Sequence, residues 1–508
     1  MMKQANQDGD ERLGALLNNA SAIRAICSAV EGTLGPKGLD TMLVGPHGEV
    51  LVTNDGATIL ERMDVSHPAA KMLVQVAKAQ QETIGDGTTT ATVLAGALVA
   101  EGVAQVTRGV PVAKVVQGIQ EGVRFAAERL SARARSVEGT GDPRLFRIAY
   151  VAGREQQDIA ELVIDAAQAI GTRMLEEEFR FADLIASHER QASEVWNGLL
   201  LEQKPLHPHL FETEIAGPGI LVLQDALEPE KLDEEALMTE VGFQTYLRLK
   251  ERFADNLRKL AELGVRLIAL DRGADPEAEQ FCADCGIMVL PRVPRRTLKR
   301  LCEHTGAVPV KRSALNRTPE QLAGLIGRCG GAFYDSRIDR IRIYGGAGRP
   351  TATVLVGAST REVAGERARI AKDAAAAVQA ALKGGFLPGG GSVEVAVAHE
   401  LDQYRMKMSG LESFGMSAVA EALRKPLSQI VQNAGFNPLE KLEAVKTAQL
   451  AEQSDSLGID CDTGSVADCA AMGVIDPAPV KVHALKAAGE VACAVLRIQT
   501  VIKMKSEE

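Results

Sequence analysis

Apolar residues recur at helical intervals through the first fifth of the chain. Within residues 12–31, Leu13, Leu16, Leu17, Ile23, Ile26 and Val30 form one stripe and predict a helix. Gly32-Thr33-Leu34-Gly35-Pro36-Lys37-Gly38 ends it with more glycine than a simple cap needs. Residues 40–44 and 49–53 then read as short strands about Gly45-Pro46-His47-Gly48, a β-hairpin. Ser66-His67-Pro68 opens a second helix whose stripe of Ala70, Leu73, Val76, Ala77 and Ile84 stops at Gly85. A third opens at Thr88 and runs apolar through Val93, Leu94, Ala97 and Leu98.

The pattern changes in the middle of the chain. Continuous apolar runs at 219–223, 265–270, 287–290 and 341–344 read as buried strands with helices between them, an α/β unit. Residues 227–263 are highly charged and read as helical. They also carry Leu237, Met238, Val241, Phe243, Tyr246 and Leu247, more apolar side chains than a solvated helix needs. Either that face packs on its own domain or it stays exposed to meet a partner.

Composition narrows the classes. A chain of 508 residues holds about three domains. Apolar residues at 46% with one Trp and five Tyr favour helical packing over aromatic-rich β architecture. Lys and Arg number 57 against 67 Asp and Glu, and the net charge of −10 argues against a general nucleic-acid binder. The polar start predicts no signal peptide, and the uncharged run at 87–100 is read as too short to span a bilayer. The expectation is a cytoplasmic protein that binds neither nucleic acid nor membrane. Cys282-Ala283-Asp284-Cys285 has the spacing of half a zinc site or a redox pair, but no second pair accompanies it. Reduced thiols are the plainer reading.

Gly85-Asp86-Gly87-Thr88-Thr89-Thr90 is the chemically informative stretch. Glycines and hydroxyls at a helix N-terminus make an anion site, because free amides and the helix dipole converge there. A carboxylate at its lip, Asp86, facing a phosphate needs a cation between them, and magnesium fits that need. Taken alone, the hexapeptide is equally a Gly-rich turn with an Asp/Thr cap. Thr53-Asn54-Asp55-Gly56-Ala57-Thr58 is a further turn of small polar residues, so one site built from several loops is expected.

Leu34-Gly35-Pro36-Lys37-Gly38, Thr53-Asn54-Asp55-Gly56-Ala57-Thr58-Ile59-Leu60 and the Gly85 hexapeptide resemble the signature segments of chaperonins of the group II type. Gly389-Gly390-Gly391 is similar to that family's glycine triplet, and Val474-Ile475-Asp476-Pro477 with Lys481 to its late nucleotide motif. The resemblance implies a multidomain α+β fold. Residues 1–137 and 388–508 would form a mostly helical equatorial domain, 138–197 and 356–387 an intermediate domain, and 198–355 an α/β apical domain. A helical protrusion near 227–263 would serve as a built-in lid, with no separate lid co-chaperonin.

By the same resemblance the protein would be an ATPase that captures and encloses non-native proteins, in stacked, eight-membered rings of identical chains. Leu34, Gly35, Pro36, Gly87, Thr88, Thr89 and Thr90 would hold the phosphates, and Asp86 the magnesium, with potassium a further candidate cation. Gly390, Gly391 and Asp476 would bracket the nucleoside, and Lys481 and Asp462-Thr463-Gly464 would neighbour the base. Asp373 would be the catalytic aspartate and Asp64 a second active-site acid. Without the resemblance these two read as a solvated helix residue and a helix N-terminal charge.

One departure is visible. Where group II relatives carry a phosphate-sensing Lys, this chain reads Ala152-Gly153-Arg154-Glu155, and Arg154 is the nearest cation. Arg154 is then either a γ-phosphate sensor or a surface arginine paired with Glu155 or Glu161. With the Ile-Asp-Pro motif, this points to a divergent branch such as the bacterial group III chaperonins. The C-terminal stretch at 503–508 lacks a Gly/Met-repeat tail. Two rival readings remain. A small-molecule kinase would need a Walker lysine or an acceptor pocket, neither of which the sequence supplies. A nucleotide-bound scaffold without hydrolysis would not need both Asp86 and Asp373.

Overall fold

The computed structural model describes residues 2–231 and 239–500, with side chains from residue 13 onward. Leu237, Met238 and the C-terminal stretch at 503–508 therefore lie outside the described residues. The chain forms two compact units. One comprises residues 1–164, 180–183 and 369–508, the other 165–179 and 184–368.

The first unit is helical. Pro68–Thr83, Thr88–Thr107, Val112–Arg133, Glu412–Asn433 and Ala478–Leu496 bury Leu73, Leu94, Leu98, Ile119, Leu423 and Leu485 in one core. Small residues let these helices approach closely. A Cβ added to Gly118 would lie 2.8 Å from the Cα of Gly415, so Val112–Arg133 and Glu412–Asn433 touch backbone to backbone. That close approach explains the abundance of alanine and glycine over aromatics.

The helix expected from residue 12 runs Met2–Val30, and the predicted hairpin pairs Thr41–Val44 with Val50–Thr53. The run at 87–100 was read as too short for a bilayer, but it lies in Thr88–Thr107. By length and composition that helix, like Leu13–Thr33, could cross a membrane. Glu101 ends the uncharged run without ending the helix, and 56% of the apolar stretch of Thr88–Thr107 is buried inside the protein.

Among the described residues the second unit contains three sheets. Gly219–Leu223, Val265–Leu270 and Met288–Leu290 are parallel neighbours, with Gly327–Arg328 antiparallel at the edge. Every residue of Gly219–Leu223 is buried, as a sheet covered on both faces requires. Arg340–Tyr344, read from sequence beside these strands, instead joins a separate antiparallel sheet with Gly198–Leu201, Gly331–Asp335 and Ile215–Ala216.

Of the helix predicted over 227–263, the described part runs Glu240–Glu262, and residues 232–238 lie outside the described residues. Leu227 pairs with Ala274 in an isolated bridge, and Pro229 follows, so backbone bonding and proline both oppose a helix there. Phe253, Leu257 and Leu260 anchor this helix in the unit's core. Val241, Phe243 and Leu247 are 78%, 51% and 39% exposed, which selects the exposed-face reading for its N-terminal half.

Candidate nucleotide site

The site grows from the loop between Pro68–Thr83 and Thr88–Thr107. Gly87 occupies the N-cap with φ 79°, and no side chain caps the helix, so its first amides remain for another acceptor. Only glycine fits: a Cβ at Gly87 would meet Val480 Cγ1 at 2.5 Å, in addition to the cost of the left-handed backbone. Gly391 repeats the device at the start of Ser392–Arg405, with φ 79° and no side-chain cap. A Cβ there would lie 2.7 Å from the amide nitrogen of Leu427.

Buried Gln80 holds the first loop in place. Its Nε2 donates to the Asp86 carbonyl at 2.7 Å and to the Val480 carbonyl at 3.3 Å. Its Oε1 lies 2.6 Å from His483 Nδ1. The loop is thus tied to helix Ala478–Leu496, nearly four hundred residues away in sequence.

Asp86 is where the loops converge electrostatically. Burial pushes its carboxyl up to about 6, against a 2.6 Å hydrogen bond from the Gly87 amide. The charges of Asp476 and Asp55 push the same way, and Arg154 opposes them. Asp55 caps Gly56–Arg62 by accepting from the amides of Ala57 and Thr58, and Gly56 packs against Thr89. Asn54 Oδ1 beside it is buried without a hydrogen-bond partner. Clustered carboxylates, one held protonation-prone by burial, and an orphaned carbonyl oxygen form a donor set that fits a hard cation. Among the described residues no group of three or more His, Cys, Asp or Glu forms a self-contained metal cluster.

The remaining loops come from both ends of the chain. Leu34-Gly35-Pro36 sits on helix Glu412–Asn433, where Asn433 Nδ2 donates to the carbonyls of Glu31 and Leu34 at 2.9 and 2.8 Å. Lys37 pairs with Asp462 at 2.5 Å and feels the charge of Glu155, which links this loop to the turns at 460–465 and 153–156. Phe386–Pro388 pairs with Ile475–Pro477, setting Leu387 opposite Asp476 and the glycine triplet beside the late motif.

Asp373 is half-buried on helix Arg361–Gly384, and the cut between the two units falls within that helix, so it groups with the helical unit. A Cβ on Gly85 would meet Ala376 at 2.6 Å, and one on Gly153 would lie 3.7 Å from Ala374. Asp373 precedes Ala376 by about one helical turn and so shares the face on which the Gly85 loop rests.

Two residues have surroundings that the sequence did not specify. Asp64 is exposed in the loop between Arg62 and Pro68, and among the described residues no hydrogen bond or ion pair ties it to the cluster. The acid whose charge reaches Asp86 is Asp55. The sequence places Asp55 in a turn expected to join the site but gives it no role of its own, although an Asx cap opening a helix was a signal. Lys481, expected near the base, is 6% exposed and bonded to Glu394 at 2.6 Å and Asp476 at 2.9 Å. It is a buried tether. Its place beside the late motif was legible, but its bond to Glu394, 87 residues away, had no local signal.

Cys282 is buried and Cys285 half-buried, both as free thiols. Burial, and then Cys285, pushes the Cys282 thiol up to about 12, far from a thiolate ligand or nucleophile.

As a class, this is a helical domain with a composite loop site at two uncapped helix N-termini, joined in one chain to an α/β unit. Residues 26–506 match the TCP-1/cpn60 chaperonin family model, and the chain belongs to that family. It is 32% identical to a thermosome subunit of Pyrococcus abyssi over 96% of this chain and 91% of that one. It is also 32% identical to a thermosome alpha subunit of Thermoplasma acidophilum, over 99% and 94%. The crystal structure of a group III chaperonin in the open state superposes with a TM-score of 0.85 at 44% identity, covering 97% of this chain and all of that one. The fold is the multidomain α+β fold of chaperonins, and the protein is an ATP-dependent chaperonin as that family is.

Proposed function

We propose that the protein hydrolyses ATP and uses the cycle to open and close a chamber for non-native proteins. The observation that carries this reading is the convergence on Asp86 of charges from Asp55, Arg154 and Asp476, three segments far apart in sequence. The amides at Gly87, Thr88, Thr89 and Thr90 receive the phosphates, with Leu34, Gly35 and Pro36 on another side. Asp86, supported by Asp55 and Asn54, would hold the cation; magnesium would supply positive charge against the phosphates when bound, and potassium is a further candidate. Gly390, Gly391 and Asp476 bracket the nucleoside. Asp373 orients the attacking water and accepts its proton. Arg154 contacts the γ-phosphate.

The three-part division, with equatorial 1–137 and 388–508, intermediate 138–197 and 356–387, and apical 198–355, belongs to this reading. So do stacked eight-membered rings of identical chains, cytoplasmic location, and a lid formed by the protrusion near 227–263. The exposed Val241, Phe243 and Leu247 support the lid. Chain closure that brings Asp373 to the phosphates would couple hydrolysis to the chamber's state. A scaffold without hydrolysis is not favoured, since both Asp86 and Asp373 are present.

Asp373→Ala tests the assignment. ATP binding should remain near the parent value while phosphate release falls by about two orders of magnitude or more, as loss of a general base does. Parent-rate phosphate release from the variant removes Asp373 from the chemistry.

A further inference from the structure

The buried trio Glu394, Lys481 and Asp476 joins three elements that are separate in sequence. Glu394 lies in the first turn of Ser392–Arg405, Asp476 on strand Ile475–Pro477, and Lys481 in the first turns of Ala478–Leu496. The Glu394 and Lys481 side chains are 3% and 6% exposed, whereas that of Asp476 is 30% exposed. Lys481 Nζ lies 2.6 Å from Glu394 Oε1 and 2.9 Å from Asp476 Oδ2. A Cβ on Gly389 would approach Asp476 Oδ2 to 3.1 Å, so the glycine triplet packs on the same carboxylate.

The charges sum to minus one. One ammonium shared by two carboxylates leaves a net negative charge, and the only member open to solvent is Asp476. A lysine held there solely for stability would need one partner. A second carboxylate, buried behind it, keeps the ammonium from fully neutralising the exposed one and fixes its position. The two carboxylates also sustain the ammonium charge against burial.

We infer that Glu394 and Lys481 are positioning residues that hold Asp476 as an oriented, anionic acceptor and so set selectivity for the ribose hydroxyls of the nucleotide. This rests on the proposed role of Asp476 at the nucleoside, with its carboxylate accepting from the ribose hydroxyls. Neither Glu394 nor Lys481 touches the nucleotide; both act through Asp476. Lys481 presents its ammonium to Oδ2, which restricts rotation of the carboxylate and orients its remaining lone pairs. Hydroxyl recognition by a charged acceptor is sensitive to that geometry.

The test compares magnesium-ADP with magnesium-2′,3′-dideoxy-ADP, which lacks both ribose hydroxyls, by equilibrium titration of the assembled full-length protein. The parent should prefer ADP by about ten-fold or more, the worth of a hydrogen bond to a charged group. Asp476→Asn should bring the preference close to one. Lys481→Met should do the same although Asp476 is intact. Because Lys481→Met leaves a buried, uncompensated Glu394, the double variant Glu394→Met/Lys481→Met is measured beside it. It removes the buried ion pair without leaving that charge unpaired. Its preference should also fall toward that of Asp476→Asn. A purely structural role would weaken both nucleotides equally and keep their ratio. If Asp476→Asn loses the preference while the folded double variant retains it, positioning by Glu394 and Lys481 is overturned. If Asp476→Asn itself keeps the preference, Asp476 is not the ribose contact, and the inference falls with that reading.

Discussion

Arg154 and Glu155 occupy the left-handed region in succession, with φ 53° and 60°, a backbone that neither side chain favours. The turn is maintained by hydrogen bonds from the Gly153 amide to the Ala149 carbonyl at 2.7 Å and from the Glu155 amide to the Tyr150 carbonyl at 2.8 Å. Each such residue costs about 1–2 kcal/mol relative to glycine. Glycine at position 155 should therefore raise the thermal midpoint, and differential scanning calorimetry would read it. At 154 the side chain has a reason to be kept, because its charge reaches Asp86. Arg154→Ala should leave ADP affinity at the parent value and weaken the coupling of ATP binding to closure, followed by small-angle scattering. Arg154→Lys should restore that coupling only in part, since an ammonium lacks the planar two-acceptor geometry of a guanidinium. Parent-like closure in Arg154→Ala would mean that the phosphate is sensed elsewhere. The sequence pointed to Arg154 as the nearest cation. It held no sign of the strain, because Gly153 is the residue one would assign to the left-handed position.

Among elements, helix Pro143–Ala152 carries that turn and shows how a local signal becomes positional. Asp142 caps it, accepting from the Arg144 amide at 2.9 Å and the Glu138 amide at 3.0 Å, and pairs with the Arg144 guanidinium. The Arg144 hydrogen bonds hold the Asp142 carboxyl down to about 2, outweighing its burial. A folded-state pKa below the unfolded value means stability that is present above about pH 4 and lost as pH falls toward 2. Asparagine caps a helix nearly as well as aspartate, so Asp142→Asn isolates the charge. The variant should be less stable by on the order of 2 kcal/mol at pH 6, and the two denaturation midpoints should converge below pH 4. An offset that stays constant down to pH 3 would assign the effect to shape and leave the charge out. Elements of this kind were legible: caps, glycine stops and apolar stripes located Pro68–Thr83, Thr88–Thr107 and the hairpin, because each is specified within a few residues. Pairings over long separations were not. The placement of Arg340–Tyr344 in its own sheet and the Gln80 tie to Val480 depend on partners that no local period marks. Likewise, the hexapeptide and Asp86 were found from chemistry alone, whereas Asp55 and Lys481 acquire their roles only when distant loops meet.

For the whole molecule, the exposed half of Glu240–Glu262 is the feature that the isolated chain leaves unexplained. Val241 and Phe243 are 78% and 51% exposed, while Phe253, Leu257 and Leu260 secure the other half of the same helix in the core. Exposing large apolar side chains costs solubility, and a helix anchored at one end and apolar at the other is suited to bury that end against something else. In a ring, the partner at hand would be the same helix of neighbouring copies, so the contact would form only when the units that carry it come together. Deleting residues 230–252 removes the exposed side chains and leaves Phe253, Leu257 and Leu260 in place. Ring assembly and ATP turnover should therefore persist, since every residue of the Asp86 cluster lies in the other unit. Protection of a captured, protease-sensitive client under ATP should disappear. Circular dichroism and particle size would establish that the truncated protein folds and assembles. Given an assembled ring, a client still shielded from protease would show that the chamber closes without this helix, and its apolar half would then need another partner.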